Sequence, residues 1–238
     1  MYSHRARGEE YLDHPDCDPA LAVASYRFMA RINRWWGGTR AVQRFLARLA
    51  RRHPPGTSLR VLDIGTGAGD IPRALLRWAR RRGIALQITG LEPAAHAAGL
   101  ARLHAAGEPG FTVLEQDVFA HRGAAPYHAA IASMMAHHLD DAQLRRLLRH
   151  LRGIVTGPVL INDLPRSRSA AWGARVLLLG APPQLRHDAL LSIRRGFHPR
   201  ELAGLAVGAQ AAAVRVRRAW CHRVVAEITF PEETAWTP

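Results

Sequence analysis

VLDIGTGAGDIP, residues Val61 to Pro72, runs from an apolar strand into a glycine-rich turn and on into a helix. Gly65, Gly67 and Gly69 lack the Cβ atoms that would block a tight turn and hold a ligand away from the backbone. Asp70 follows the last glycine, and Pro72 sits where a first helical turn accepts proline, so the helix amides point back at whatever the loop holds. The stretch reads as a nucleotide cradle. The spacing separates two kinds of cradle. A dinucleotide fold shows GxGxxG, and a phosphate loop needs a following Gly-Lys-Ser/Thr. Here the pattern is Asp-x-Gly-x-Gly-x-Gly, with no lysine behind it.

Working outward, two more acids stand at strand ends. Glu92 closes ITGLE about 20 residues beyond the loop, where nucleotide folds place an acid for ribose hydroxyls, and Asp117 follows VLEQ. With Asp63 inside the first strand, this pattern resembles motif I and its companions in the class I S-adenosylmethionine-dependent methyltransferases. That resemblance implies S-adenosylmethionine as cofactor and S-adenosylhomocysteine as product. It assigns Asp63 to the methionine amine, Glu92 to the ribose, Asp117 to the adenine amine and Val118 and Phe119 to the faces of the ring. Thr66, Pro93 and Ser133 fall beside these positions and complete the expected cofactor set.

The remaining pattern alternates strand and helix, which argues for a parallel sheet covered on both faces. Strands are expected near residues 59–64, 86–91, 111–116, 128–133 and 157–162. Helices are expected near 71–82, 94–104, 140–152, 169–180 and 199–207, with Asp140 as an N-cap. AAAVRVRRA and WCHRVVAEITF read as a closing pair of strands. The fold class is therefore α/β, a Rossmann-like, seven-stranded, mostly parallel sheet with an antiparallel edge hairpin, the strand count being what the resemblance implies. Residues 1–56 are expected to form an N-terminal helical cap or lid, ahead of a methyltransferase domain over 57–238. Within the cap, Leu21, Ser25, Phe28 and Ile32 share one helical face, and Val42, Phe45, Leu46 and Leu49 share another.

Candidate acceptor residues lie at strand ends and in the cap, because ligands of such sheets bind outside the carboxyl ends of the strands. His137 and His138 follow strand four, and His187 lies in what reads as a linker before the last helix; these are the candidate bases, since imidazole is the side chain that titrates near neutrality. Asn162, Asp163 and Arg166 are expected at the cleft rim. Asn33, Trp35 and Trp36 lie in a segment similar to the N-terminal stretch of ubiquinone and menaquinone C-methyltransferases, a resemblance that implies that they line the acceptor site or the methionine end of the cofactor pocket. The catechol O-methyltransferases hold magnesium with an acid after strand four and an Asp-Asn pair after strand five. Here strand four ends in Ser133 and the pair is reversed, Asn162-Asp163, so no metal is expected.

NDLPRSR and RHDALLSIRRGFHP resemble bacterial methyltransferases of phenolic and polyketide-type molecules. Together these readings imply methyl transfer to an oxygen, or less readily a ring carbon, of a small aromatic metabolite. An RNA or protein methyltransferase and a non-methylating cofactor binder are the alternatives. The chain of 238 residues carries a net charge of +14, with a pI near 11.4. All 33 basic residues are arginine, spread over solvated faces, which fits coding bias better than phosphate recognition and makes a nucleic-acid partner unexpected. Cys17 and Cys221 show no metal or redox spacing, the N-terminus lacks an apolar signal core and no run is long enough to span a membrane. A cytoplasmic monomer or homodimer is expected.

Overall fold

The computed structural model describes residues 2–14, 16–219 and 221–231. Trp220, the first residue of the expected last strand, lies outside them. Seven strands form one sheet in the order β3-β2-β1-β4-β5-β7-β6. They are β1 (Leu59–Ile64), β2 (Leu86–Leu91), β3 (Phe111–Leu114), β4 (Ala129–Ser133), β5 (Val159–Asp163), β6 (Ala213–Ala219) and β7 (Arg223–Thr229). The first five pair in parallel, and β7 pairs antiparallel with both β5 and β6. The expected α/β fold is thus the observed one.

Side-chain alternation along the strands divides the core in two. Leu59 and Val61 of β1 face the same side as Ile131 and Leu160, whereas Leu62 and Ile64 face the side of Ala130 and Ile161. On the first side lie α2 (Gly38–Ala50) and α3 (Asp70–Arg80), which bury Val42, Phe45, Leu46, Leu75 and Leu76. On the other lie α5 (Asp141–Arg152) and α8 (Pro199–Gly208), with Leu144, Leu147, Leu148, Leu151, Leu202 and Leu205 at helical spacing. Each such side chain contributes roughly 1.5–3 kcal/mol of burial. Helix α2, grouped with the cap in the sequence reading, therefore packs into the sheet's own core. Asp140 caps α5 in a full capping box with Gln143.

The other helices are α1 (Pro19–Trp35), α4 (Ala95–Ala105), α6 (Arg168–Leu177) and α7 (Pro183–Arg195). Helix α7 corrects the expectation of a linker there. Its buried stripe, Leu185, Asp188, Leu191, Ser192 and Ile193, mixes polar groups with apolar ones, and this hid the helical period in the sequence. Strand β5 begins at Val159, two residues later than expected, after Gly157 and Pro158. Among the described residues no helix is long and apolar enough to cross a membrane.

Candidate active site

A cleft of about 660 Å³ opens at the carboxyl ends of β1, β2 and β4, under α1 and the N-terminal strap of residues 2–14. Its floor is the glycine loop. Gly65 and Gly67 hold φ of 66° and 55°, the left-handed region that side-chain-bearing residues avoid. A Cβ on Gly65 would stand 2.6 Å from Met135 Cγ, and one on Gly67 would stand 3.4 Å from the Tyr26 ring at the cleft wall. Gly69 serves a different purpose: it caps α3 and lets the helix pack on Phe111, whose ring a Cβ would meet at 2.8 Å, and it does not line the cleft.

Carboxylates ring this end. Asp63 accepts a hydrogen bond of 2.7 Å from the Thr66 hydroxyl. Glu92 accepts from the amides of Gly67 (2.9 Å) and Ala94 (3.0 Å). Asp117 accepts from the amide of Phe119 at 2.7 Å, which sets the turn presenting Val118 and Phe119. Burial, reinforced by the charges of Asp70 and Glu92, pushes Asp63 up to about 7 against the opposing Thr66 bond. Burial raises Asp70 and Glu92 as well. Burial is the largest cause at each, and the nearby Arg223 at Asp70 and His96 and His138 at Glu92 offset it only in part, leaving the negative charge short of compensation. A ligand carrying an ammonium and vicinal hydroxyls fits that deficit, and Pro93, Gln116 and Ser133 line the same space.

The other end of the cleft is compensated. His137, 2% exposed, donates from Nδ1 to Asp163 Oδ1 at 2.7 Å, and its amide donates to Asp163 Oδ2 at 2.9 Å. Its Nε2 lies 3.7 Å from Glu10 Oε1. Burial alone would depress this imidazole, but the charge and hydrogen bond of Asp163, joined by those of Glu10, push it up to about 9. Asp163 and Glu10 are lowered in turn, the imidazole outweighing the burial that would raise them. His138 stacks on His137 with centroids 4.3 Å apart and bonds Asp13 at 3.1 Å. Glu10, His137 and His138 bring one ligand atom each within 4.8 Å of one another, but the Arg195 guanidinium lies 3.7 Å from Glu10 and 3.8 Å from Asp13, so the carboxylates already face a cation.

Several expected acceptor residues stand elsewhere. Arg166 is not at the rim: only 1% exposed, it donates to the carbonyls of Tyr2, Ser3 and Gly196 and pairs with Glu201. Asn162 lies below the cleft, its amide donating to Gly38 O and to the Ser133 hydroxyl. Asp163 is fully buried behind His137, not on the rim. Trp35 is 65% exposed on the outer face of α1. Asn33 is buried in the cleft wall, donating to Asp70 at 3.1 Å and accepting from Arg223 at 3.0 Å. His187 is on the surface against Tyr11 and Asp188, outside the cleft.

Trp36 lines a second, apolar pocket of about 130 Å³ with Phe28, Ile32, Leu178 and Leu185. This pocket shares Glu10, Met29, Asn33, Met134 and Ser192 with the main cleft, so the two communicate at the His137 end. Glu10, Tyr26, Ser192 and Arg195 were not singled out from the sequence. Their only local signals were a charged N-terminus and a polar break in a helical stripe, and neither says what they face.

Residues 31–198 match the methyltransferase domain family. A search of curated protein sequences found no match. Among solved structures, the chain is similar to the plantazolicin methyltransferase BpumL in complex with SAH (TM-score 0.69, 12% identity, 92% of each chain). It is also similar to the CMeT domain of citrinin polyketide synthase (0.67, 14%, 94% of this chain and 60% of that one). A third is the O-methyltransferase NcsB1 from neocarzinostatin biosynthesis, in complex with S-adenosylmethionine and 2-hydroxy-5-methyl naphthoic acid (0.59, 19%, 90% and 58%). At these identities the likeness is one of fold.

Proposed function

The chain belongs to the class I S-adenosylmethionine-dependent methyltransferases, and on that premise we propose that it methylates an oxygen of a small aromatic acceptor. S-adenosylmethionine is the cofactor; bound, it supplies an electrophilic methyl on a sulfonium. In this reading Asp63 takes the methionine ammonium, Glu92 the ribose hydroxyls and Asp117 the adenine amine, with Val118 and Phe119 against the ring. Thr66 holds the Asp63 carboxylate in place, and Gly65 and Gly67 leave room for the ligand.

The observation that carries the acceptor class is the apolar pocket of about 130 Å³, which shares Glu10, Met134 and Ser192 with the cleft that His137 lines. A cavity of that order, about 150 Å³, takes a benzene ring, and Phe28, Ile32, Trp36, Leu177, Leu178 and Leu185 give it a mainly apolar surface. A ring seated there presents its hydroxyl toward the buried His137–Asp163 pair. Asp163 fixes Nδ1, leaving Nε2 to accept the proton. Below about pH 9 the imidazole already holds its proton, so turnover by this route rises with pH toward 9 as Nε2 is freed, and there a phenol near pKa 10 is closely matched to it. The chain otherwise contributes position, holding the acceptor oxygen in line with the methyl.

The test is a methylation screen of single-ring phenols, followed by Ala189→Phe, which fills the apolar pocket from its α7 wall. The expected result is turnover of a phenol by the wild type, with KM raised about tenfold or more in the variant, the loss of roughly one ring's worth of apolar contact, and an unchanged cofactor Kd. Labelling confined to RNA or protein, or a variant with unaltered KM, would sink the proposal.

A further inference from the structure

The N-terminal strap places a carboxylate where a lid has no structural need of one. Glu10 is 5% exposed, although it belongs to an irregular segment and follows the exposed Glu9. A buried carboxylate needs compensation. Glu10 receives it from the Ser192 hydroxyl at 2.7 Å, from His137 Nε2 at 3.7 Å and from Arg195 at 3.7 Å. The imidazole of His137 therefore lies between two carboxylates of different origin, Asp163 from β5 on Nδ1 and Glu10 from the strap toward Nε2. The strap is also tied to the turn that carries His137. Arg5 donates to the carbonyls of Leu139 (2.6 Å), His137 (3.2 Å) and Arg195 (2.8 Å), while the amides of Tyr11 and Leu12 donate to Asp188.

We propose that the strap is a working part of the acceptor site and that Glu10 is a positioning residue for His137, setting its proton affinity from the side opposite Asp163. Glu10 and His137 line the same cleft with Glu10 Oε1 3.7 Å from Nε2, so an acceptor placed at Nε2 also meets Glu10. Without the Glu10 charge, His137 keeps Asp163 alone and binds its proton less tightly; with it, the proton is held to higher pH and Nε2 is free only above that midpoint. The other groups facing His137 are His138 on its own turn, Asp13 bonded to His138, and Arg5 and Arg195, which both donate to its carbonyl. These remain when Glu10 alone is altered. The catalytic consequence rests on His137 being the proton acceptor; the electrostatic coupling does not.

The experiment is an NMR pH titration of the full chain labelled at histidine Cε1, which needs no acceptor. The His137 midpoint is expected near 9 in the wild type. In Glu10→Gln, which keeps the volume and the Ser192 bond, it should fall by about 1–3 units, the range for losing an opposite charge at this distance. Glu10→Asp, which withdraws the charge by one methylene, should fall less, and serves equally if the glutamine variant does not fold. Ser192→Ala, which leaves the charge, should stay close to the wild type. A midpoint unmoved in both Glu10 variants while Asp163→Asn lowers it would overturn the proposal, as would a fall in Ser192→Ala as large as in Glu10→Gln. Once an acceptor is in hand, the rising limb of kcat/KM should move toward acid in Glu10→Gln by the same amount. His137→Asn tests the base reading separately: if it retains full turnover while the titration shifts as expected, the base reading fails and the coupling stands.

Discussion

The two ends of the cleft are built on opposite electrostatic plans. At the glycine-loop end, Asp63, Asp70 and Glu92 stand together and all are raised by burial, which the nearby Arg223, His96 and His138 offset only in part. At the acceptor end, Glu10, Asp13 and Asp163 are all lowered, because His137, His138 and Arg195 stand among them. On the proposed reading the first end gains its balance from the cofactor's ammonium. The second is balanced within the chain by its own cations.

The largest effect should come from breaking the cofactor end sterically. Gly67→Val places a β-branched residue at φ 55° and fills the cleft floor, so cofactor binding should fall below detection in calorimetry. Circular dichroism must show a retained fold, and near-wild-type affinity in a folded variant would break the assignment of this end. At the other end, His137→Asn should lower kcat by about 10²- to 10⁴-fold while leaving the cofactor Kd within a few-fold. Equal losses in both quantities would mean that the two ends are not separable.

Acidity sharpens the contrast. Asp63 has a folded pKa of about 7 against an ordinary value of 3.8, so between these limits the folded chain binds more protons than the unfolded one. Its contribution to stability is therefore present below the ordinary value and lost as pH rises through about 7. Cofactor affinity should run the other way, since the ammonium needs the carboxylate, rising by up to about tenfold per pH unit below 7. Melting temperature and calorimetric Kd across this window check both signs, and Asp63→Asn should flatten both dependences. The smallest effects belong to Trp35→Ala and His187→Ala. Both side chains lie outside the cleft, so steady-state kinetics should change less than about twofold, as for substitutions that touch no buried or reacting group.

The two ends also differ in how far the sequence reveals them. Gly65, Gly67, Asp63, Glu92 and Asp117 are legible because each sits at a strand end, and a strand end is a local feature marked by an apolar run, a glycine or an acid. The alternation of strands and helices fixed the sheet for the same reason: period and turn chemistry act over a few residues. The acceptor end has no such local mark. His137 and His138 are neighbours with the same side chain, yet one is buried on Asp163 and the other half-exposed on Asp13. Arg166 reads as a rim residue beside two polar neighbours, but its guanidinium is drawn inside by carbonyls of the strap and of the turn after α7. Helix α7 brings Ser192 and Arg195 to the strap only because it packs there. By itself, then, the sequence determined the sheet, the cradle and the cofactor that fits it. Only the tertiary structure decided which histidine has a buried carboxylate, which tryptophan lines a pocket, and that Glu10 stands opposite Asp163, because burial and charge pairing between distant segments are set by packing and leave no periodic trace along the chain.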